Sequence, residues 1–333
     1  MRLSLAGAGT DIPAYSQKYG GATLTATIDR YAYAMVSTTS NPAVQITTSD
    51  YDGEAQEQPT REILKRFGIQ GGVSVFLTTE LPTYSGMTAV SAGAVALIRA
   101  LAELQQRSMT PTEIAEMACT VSVERLGLHV GIADFYGLAQ GGITFVEING
   151  SGVRVESLSL PPDLLDAIQA RLMLFFTGRL QKSPEPLQVL RKAAERNRAS
   201  VIESLHEVKA SAVALRQALL RGELDSFGAN LDRTWRASRE LARGMSDPWV
   251  DQWYEAALNA GAAGGKINGL GGLGFMVLVC EPDRQARVAE VMQSMGLTRV
   301  DVRLESGGVS MLLNEAADQL PPPFWGKVGV ATN

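Results

Sequence analysis

A single carboxylate stands in the apolar stretch Gly131-Ile132-Ala133-Asp134-Phe135-Tyr136. Desolvating a bare carboxylate is expensive, so Asp134 must be hydrogen-bonded, paired with a cation, or held there to handle a proton. The residues alone leave those three readings open. A second unusual stretch runs from Gly261 to Val279, GAAGGKINGLGGLGFMVLV, in which seven glycines and Lys266 lead into an unbroken apolar strand. Glycine there costs chain entropy and packs nothing, so its density means positive φ or a close approach to something else. A tight corner needs only one or two, and the surplus points to a ligand-facing loop. Gly269, Gly271 and Gly274 satisfy G-x-G-x-x-G, but that fingerprint requires a strand before it and a helix after it. Here the order is helix (Asp247 to Asn259), glycine loop, then strand (Phe275 to Cys280), which argues against a dinucleotide site. A third stretch, Glu80 to Ser91, joins an alternating strand (Val73 to Thr79) to an alanine-rich helix ending near Gln106. A polar loop in that position can set a phosphate on the free N–H groups of a helix N-terminus, where the dipole adds favourable potential.

The elements that position these groups are legible from pattern. Leu3 and Leu5 close a first strand that enters a small-residue loop carrying Thr10 and Asp11 and stopped by Pro13. Two strands, Ala22 to Ile28 and Tyr31 to Thr38, flank Asp29-Arg30 and read as a hairpin. A short helix spans Arg61 to Phe67. Thr110-Pro111-Thr112-Glu113 is a capping box with proline at the first helical position, opening a helix to about Leu126 that ends at Gly127. Strands follow at Ile143 to Ile148 and Arg171 to Thr177. Apolar spacing then predicts helices over Leu187 to Leu205, Val208 to Arg221 and Leu224 to Arg243, whose charged faces read as solvated surface. Beyond the glycine loop come a helix (Arg284 to Met295) and strands at Arg299 to Leu304 and Val309 to Leu313, an α+β pattern.

A chain of 333 residues can build two cores. With 45% hydrophobic and 20% charged residues and a net charge of -5, it reads as a soluble globular protein without the clustered cationic excess that nucleic-acid binding needs. Cys119 and Cys280 lie in apolar settings and read as reduced core residues, and His129 and His206 are too isolated to form a metal cluster. The opening MRLSLAGAGTD meets Asp11 too early for a signal peptide, and no run approaches membrane-spanning length. The expectation is a cytoplasmic protein that acts on a small molecule, with no nucleic acid or membrane as partner; the sequence is open to a homodimer.

Three segments, RLSLAGAGTDIPAY with GGATLTATIDRYAY, LPTYSGMTAVSA, and GGKINGLGGLGF, resemble in order and spacing the GHMP small-molecule kinases. Within that family they most resemble the sugar kinases that act on D-glycero-D-manno-heptose 7-phosphate. The resemblance spans roughly Arg2 to Leu313. It implies a two-domain α+β fold: an N-terminal ribosomal-protein-S5-like domain (1-180) and a C-terminal ferredoxin-like domain with added helices (181-333). It also implies ATP and Mg²⁺ as cofactors and a sugar or sugar phosphate as acceptor. The family's R-I-S-F-A-G-G-G-T-D-L-P segment assigns Thr10 and Asp11 to the sugar, and its G-K-Q-D-Q-Y segment assigns catalysis to Asp134. Glu124 matches the acid that holds magnesium. The third motif, usually G-G-K-L-L-G-A-G-G-G-G-F, places Gly265 and Lys266 beside substrate and Gly269 and Gly271 beside the phosphates, with Leu273 replacing one glycine.

The phosphate loop departs from the family. The pattern G-S-G-L-G-S-S-S-A becomes Tyr84-Ser85-Gly86-Met87-Thr88-Ala89-Val90-Ser91-Ala92, so two of three glycines are replaced and Val90 stands where a serine ligates magnesium. Ser85, Gly86, Thr88 and Ser91 remain as nucleotide contacts. Losing one well-placed oxyanion partner costs about 3 kcal/mol in a transition state. Ile132 and Ala133 replace Lys and Gln beside Asp134, removing its usual cationic neighbour. Thr177 to Ser183 lacks the Arg-Asp pair common there in heptose kinases. Three readings follow: an ATP- and Mg²⁺-dependent kinase, a protein that binds a sugar-like ligand without productive ATP use, or an enzyme of the same fold with a different reaction.

Overall fold

The computed structural model describes the chain except residues 50–53, 181–184, 270–272 and 313–333. In chain order the first half comprises β1 (Arg2–Ala6), α1 (Pro13–Tyr19), β2 (Gly21–Thr27), β3 (Ala32–Thr38), β4 (Val44–Thr48), α2 (Glu54–Arg66), β5 (Val73–Thr79), α3 (Ala89–Leu104), α4 (Pro111–Cys119), α5 (Ile132–Gln140), β6 (Ile143–Asn149) and β7 (Gly152–Ser157). The second half comprises α6 (Pro162–Arg171), β8 (Leu172–Phe176), α7 (Glu185–Glu195), α8 (Ala199–Leu220), α9 (Phe227–Arg239), α10 (Pro248–Ala260), β9 (Gly264–Ile267), β10 (Phe275–Val279), α11 (Gln285–Ser294) and β11 (Thr298–Arg299). Among the described residues three sheets form, in the orders β1-β2-β6-β7, β3-β5-β4 and β11-β8-β10-β9. A boundary after residue 180 therefore leaves β8, a member of the third sheet, on the N-terminal side.

The helix ends follow local chemistry. The Thr110 hydroxyl accepts from the Glu113 amide at 3.2 Å and the Glu113 carboxylate accepts from the Thr110 amide at 2.7 Å, the reciprocal pair that opens α4. Asp247 accepts from the amides of Trp249 and Val250 at 2.8 and 2.9 Å and opens α10, with Pro248 in the first turn. Helix α4 continues into a π-helical turn, Thr120–Arg125. One cluster of buried side chains packs α2 to α5 against the β3-β5-β4 sheet. Another runs through both halves, joining Leu3 and Leu5 of β1 to Leu215, Phe227, Leu231 and Val277, so the two halves share apolar packing.

Four expectations are corrected. The segments around Asp29-Arg30 are not a hairpin: β2 is central in its sheet, both edges taken by β1 and β6, so β3 pairs with β5 instead. The predicted break between helices at 206–207 lies at 196–198, where Asn197 takes a left-handed φ of 52°. Val201, Ile202, Leu205, Val208, Ala212, Leu215 and Leu219 keep one buried phase throughout α8, so nothing interrupts it. The glycine stretch is not all loop, because Gly264–Ile267 form β9, antiparallel to β10. Among the described residues of the C-terminal end, Thr298 and Arg299 alone join a ladder; Leu304 makes one bridge to Ile28, and the backbone of Arg303, Glu305 and Val309 bonds to Asp29, Thr27 and Ala139 instead. Leu313 lies outside the described residues.

Candidate active site

Strand β1 is buried along its whole length, and its first residue is an arginine. That guanidinium, 3% exposed, reaches Asp134 in the first turn of α5: Nε and Nη2 stand 2.9 and 2.8 Å from the same oxygen, Oδ1. Asp134 thus has a cationic neighbour after all, supplied from the other end of the domain rather than from the residues beside it. Its Oδ2 takes no hydrogen bond from the described residues. The Asp134 side chain is 15% exposed, so one oxygen is fixed and the other is open to a donor.

Asp11 sits behind it. Its Oδ2 accepts from the Ala133 amide at 3.1 Å and its Oδ1 from the Gly9 amide at 3.3 Å, so it caps α5 from outside the helix. A Cβ on Gly131 would lie 2.4 Å from Asp11 Oδ2 and 3.2 Å from Asp134 Oδ2, so only a glycine lets both carboxylates converge there. Burial, and secondarily the Asp134 charge, push the Asp11 carboxyl from 3.8 up to about 6.

The phosphate-loop residues open α3. Tyr84, Gly86 and Thr88 all have left-handed φ, at 64°, 78° and 61°, so the three positions that are glycine in the family pattern keep the glycine conformation although two carry side chains. Such alternation turns successive N–H groups toward one side, the backbone form of an anion-binding nest. The Thr88 side chain does not cap α3, and the first backbone bond of the helix runs from Ala92 to Thr88. The Ser91 hydroxyl is buried without a partner. This orphaned donor, the uncapped turn and the nest fit the phosphates of a nucleotide. Ser85 turns its hydroxyl to the Pro82 carbonyl and Thr88 its own to the Met87 carbonyl at 2.6 Å, so their side chains serve the loop itself.

What the glycine run approaches is this loop. A Cβ on Gly86 would lie 2.2 Å from the Asn268 carbonyl oxygen, and one on Gly274 would lie 2.1 Å from that of Ser85. Gly269 packs on Gly86 in the same way; Gly271 lies outside the described residues.

Several assigned contacts are structural instead. Thr10 is fully buried, its hydroxyl donating to Gly7 and Ala22 carbonyls at 2.8 and 2.9 Å, so it has no donor left for a sugar. Gly265 lies under Val277 and Leu278 of β10. Lys266, 1% exposed, donates to the Ser4 carbonyl at 2.9 Å between β9 and β1 and is not presented to a substrate. Burial, then Arg2, lower its pKa from 10.5 to about 7, with Asp134 opposing. Glu124 is exposed on the π-helical turn, and no group of three or more His, Cys, Asp or Glu among the described residues could hold a metal. Val90 offers no oxygen, so among the described residues the acid assigned to Mg²⁺, Glu124, stands outside any such cluster. Arg179, in the segment lacking the Arg-Asp pair, stacks on Trp249 and Trp253 at 5.6 and 5.9 Å.

Sequence reasoning missed Arg2 and Asn268. The signal for Arg2 was a lone charge opening an otherwise uncharged strand; for Asn268 it was an amide where the family motif has leucine.

Residues 58–142 match the N-terminal domain of GHMP kinases and residues 215–297 match their C-terminal domain. The chain belongs to the GHMP kinases, and the α+β architecture expected from the resemblance is the one observed. Over 315 residues it is 26% identical to the D-glycero-alpha-D-manno-heptose 7-phosphate kinase of Campylobacter jejuni subsp. jejuni serotype O:2, covering 88% of this chain and 91% of that protein. The fold is shared with a D-glycero-D-manno-heptose 1-phosphate kinase from Bacteriodes thetaiotaomicron, with TM-score 0.74, 24% identity, and 92% and 95% of the two chains covered. It is shared also with Lactococcus lactis galactokinase complexed with galactose, with TM-score 0.73, 15% identity and 92% of each chain covered. Among the described residues no helix is long and apolar enough to cross a membrane.

Proposed function

We propose that this chain is a kinase that phosphorylates a hydroxyl of a sugar phosphate, with a heptose phosphate as the nearest acceptor class and ATP as donor. The observation that carries the reading is the left-handed φ of Tyr84, Gly86 and Thr88 ahead of the uncapped α3, one arginine away from Asp134. ATP supplies the phosphoryl group. The N–H groups at the start of α3 and the Ser91 hydroxyl hold phosphate oxygens, a task in which position and electrostatics do most of the work. Asp134, fixed through Oδ1, presents Oδ2 to the acceptor hydroxyl, orients it and takes its proton as the new O–P bond forms and the bond from the γ-phosphorus to the bridging oxygen breaks, releasing ADP. Glu124 is the carboxylate that would hold Mg²⁺ alongside the nucleotide's phosphates and water, where the ion would neutralise phosphate charge.

Val90 favours the second reading, in which sugar binds but ATP is not used. Calorimetric titration with a non-hydrolysable ATP analogue and Mg²⁺ separates the two. Micromolar binding, followed by turnover of a heptose phosphate that is lost in Asp134→Asn, is the expected result. No binding at millimolar nucleotide overturns the kinase reading.

A further inference from the structure

Asn268 follows the last residue of β9, and its side chain touches two segments that sequence keeps far apart. Oδ1 accepts from the Ser4 amide of β1 at 2.7 Å, and Nδ2 donates to the Gly86 carbonyl of the phosphate loop at 3.0 Å. Nδ2 also lies 2.8 Å from Met87 Sδ and 3.4 Å from the Arg2 carbonyl. The side chain is 1% exposed, so none of these bonds competes with solvent. Gly86 O is shared: Arg2 Nη1 approaches it at 3.3 Å while the same guanidinium holds Asp134. The residue therefore ties the loop to the strand whose Arg2 holds Asp134. Leucine, the family's usual residue here, could make none of these bonds and would leave Gly86 O to Arg2 alone.

We propose that Asn268 is a positioning residue for phosphoryl transfer: it pins Gly86 and β1 together, so that a phosphate loop short of two glycines holds its nest and stays in register with Asp134. The inference rests on the kinase reading for its functional consequence but not for the pin itself. Tyr84 and Thr88 occupy left-handed φ against the preference of residues with side chains, and such conformations persist only where the surroundings over-determine them. Asn268 supplies that constraint on one side, and the close packing of Gly274 against Ser85 supplies it on the other.

Two variants separate the roles. Asn268→Leu removes all the bonds; Asn268→Asp, of equal size, keeps the acceptor for the Ser4 amide and removes the amide donor toward Gly86. Hydrogen exchange read by mass spectrometry on peptides covering residues 82–92 of the free protein should speed about tenfold in both variants, with β2 and β6 unchanged. The Kd for the Mg²⁺-bound ATP analogue should rise about tenfold while the KM for the sugar phosphate moves less than about twofold. Unchanged loop exchange in both variants, or acceleration in Asn268→Leu alone, overturns the pin. If Asn268→Leu does not fold, the aspartate variant decides. Wild-type protein that binds no nucleotide sinks the kinase reading instead, and the exchange measurement still decides the role of Asn268.

Discussion

Arg2 and Asp134 stand 132 positions apart in sequence and meet through two nitrogens on one carboxylate oxygen, at 2.9 and 2.8 Å. The bidentate use of a single oxygen leaves Oδ2 free, so the cation fixes the carboxylate without occupying it. Removing one partner of a buried pair leaves the other uncompensated, which costs about 3–5 kcal/mol. Arg2→Leu should lower stability by that order in urea denaturation. Asp134→Asn should reduce kcat by at least about a hundredfold with nucleotide affinity within about threefold of wild type, since the proton acceptor is lost but the loop is not. Equal losses in kcat and nucleotide affinity would contradict the separation.

Tyr84 and Thr88 carry side chains at φ values that favour glycine. Each costs about 1–2 kcal/mol of local strain, of which the greater backbone freedom of an unfolded glycine returns part. Tyr84→Gly and Thr88→Gly should each stabilise the protein by up to about 1 kcal/mol. A shift in the denaturant midpoint at constant slope is the check, and a loss of stability in Thr88→Gly would show that its side chain packs for more than it strains.

Gly274→Ala tests the contact between the two loops. Its Cβ would meet Ser85 backbone at 2.1 Å, at a φ of 106°, and neither the strand nor the loop can yield a full ångström cheaply. Nucleotide affinity should fall at least about tenfold and stability by about 2 kcal/mol or more. An alanine variant that titrates like wild type would mean the loops part readily.

Ser91 should show opposite effects on stability and binding. Its buried hydroxyl has no partner in the free protein, and such a group costs about 1–3 kcal/mol. Ser91→Ala should raise the melting temperature of the free protein and weaken its shift on adding nucleotide.

Asp11 and Lys266 give the pH dependence two opposing limbs, and the Met1 amine, lowered by burial to about 6, adds to the second. Asp11 releases its proton at about 6 when folded against 3.8 otherwise, so between those values the unfolded chain holds fewer protons and stability falls as pH rises. Lys266 loses its proton at about 7 when folded against 10.5 otherwise, so stability rises with pH across that window. Urea denaturation from pH 4 to 10 should show a shallow minimum between about 6 and 7, with Asp11→Asn flattening the acid limb and Lys266→Met the alkaline one. A limb that survives its variant belongs to another group.

Much of the fold and some of the site was legible in the residues alone. The capping box at Thr110, the strand–loop–helix order through Glu80 to Ser91 and the isolation of Asp134 are local facts, set within a few residues by backbone bonding and side-chain spacing, although the same spacing placed a break inside α8 that the structure does not have. They determined that the chain is α+β, that a loop opens α3, and that one acid needed an explanation. Tertiary structure decided the rest. Which strand pairs with β3 depended on β1 and β6 having taken both edges of β2; what the glycine run approaches depended on the phosphate loop lying beneath it. Whether Thr10 and Lys266 face a substrate or a carbonyl depended on where β1 and β2 pass, and the cation for Asp134 came from Arg2 because β1 runs beside α5. Spacing along a chain reports neighbours three or four residues away, whereas these contacts join segments tens to hundreds of residues apart, fixed only when the cores close.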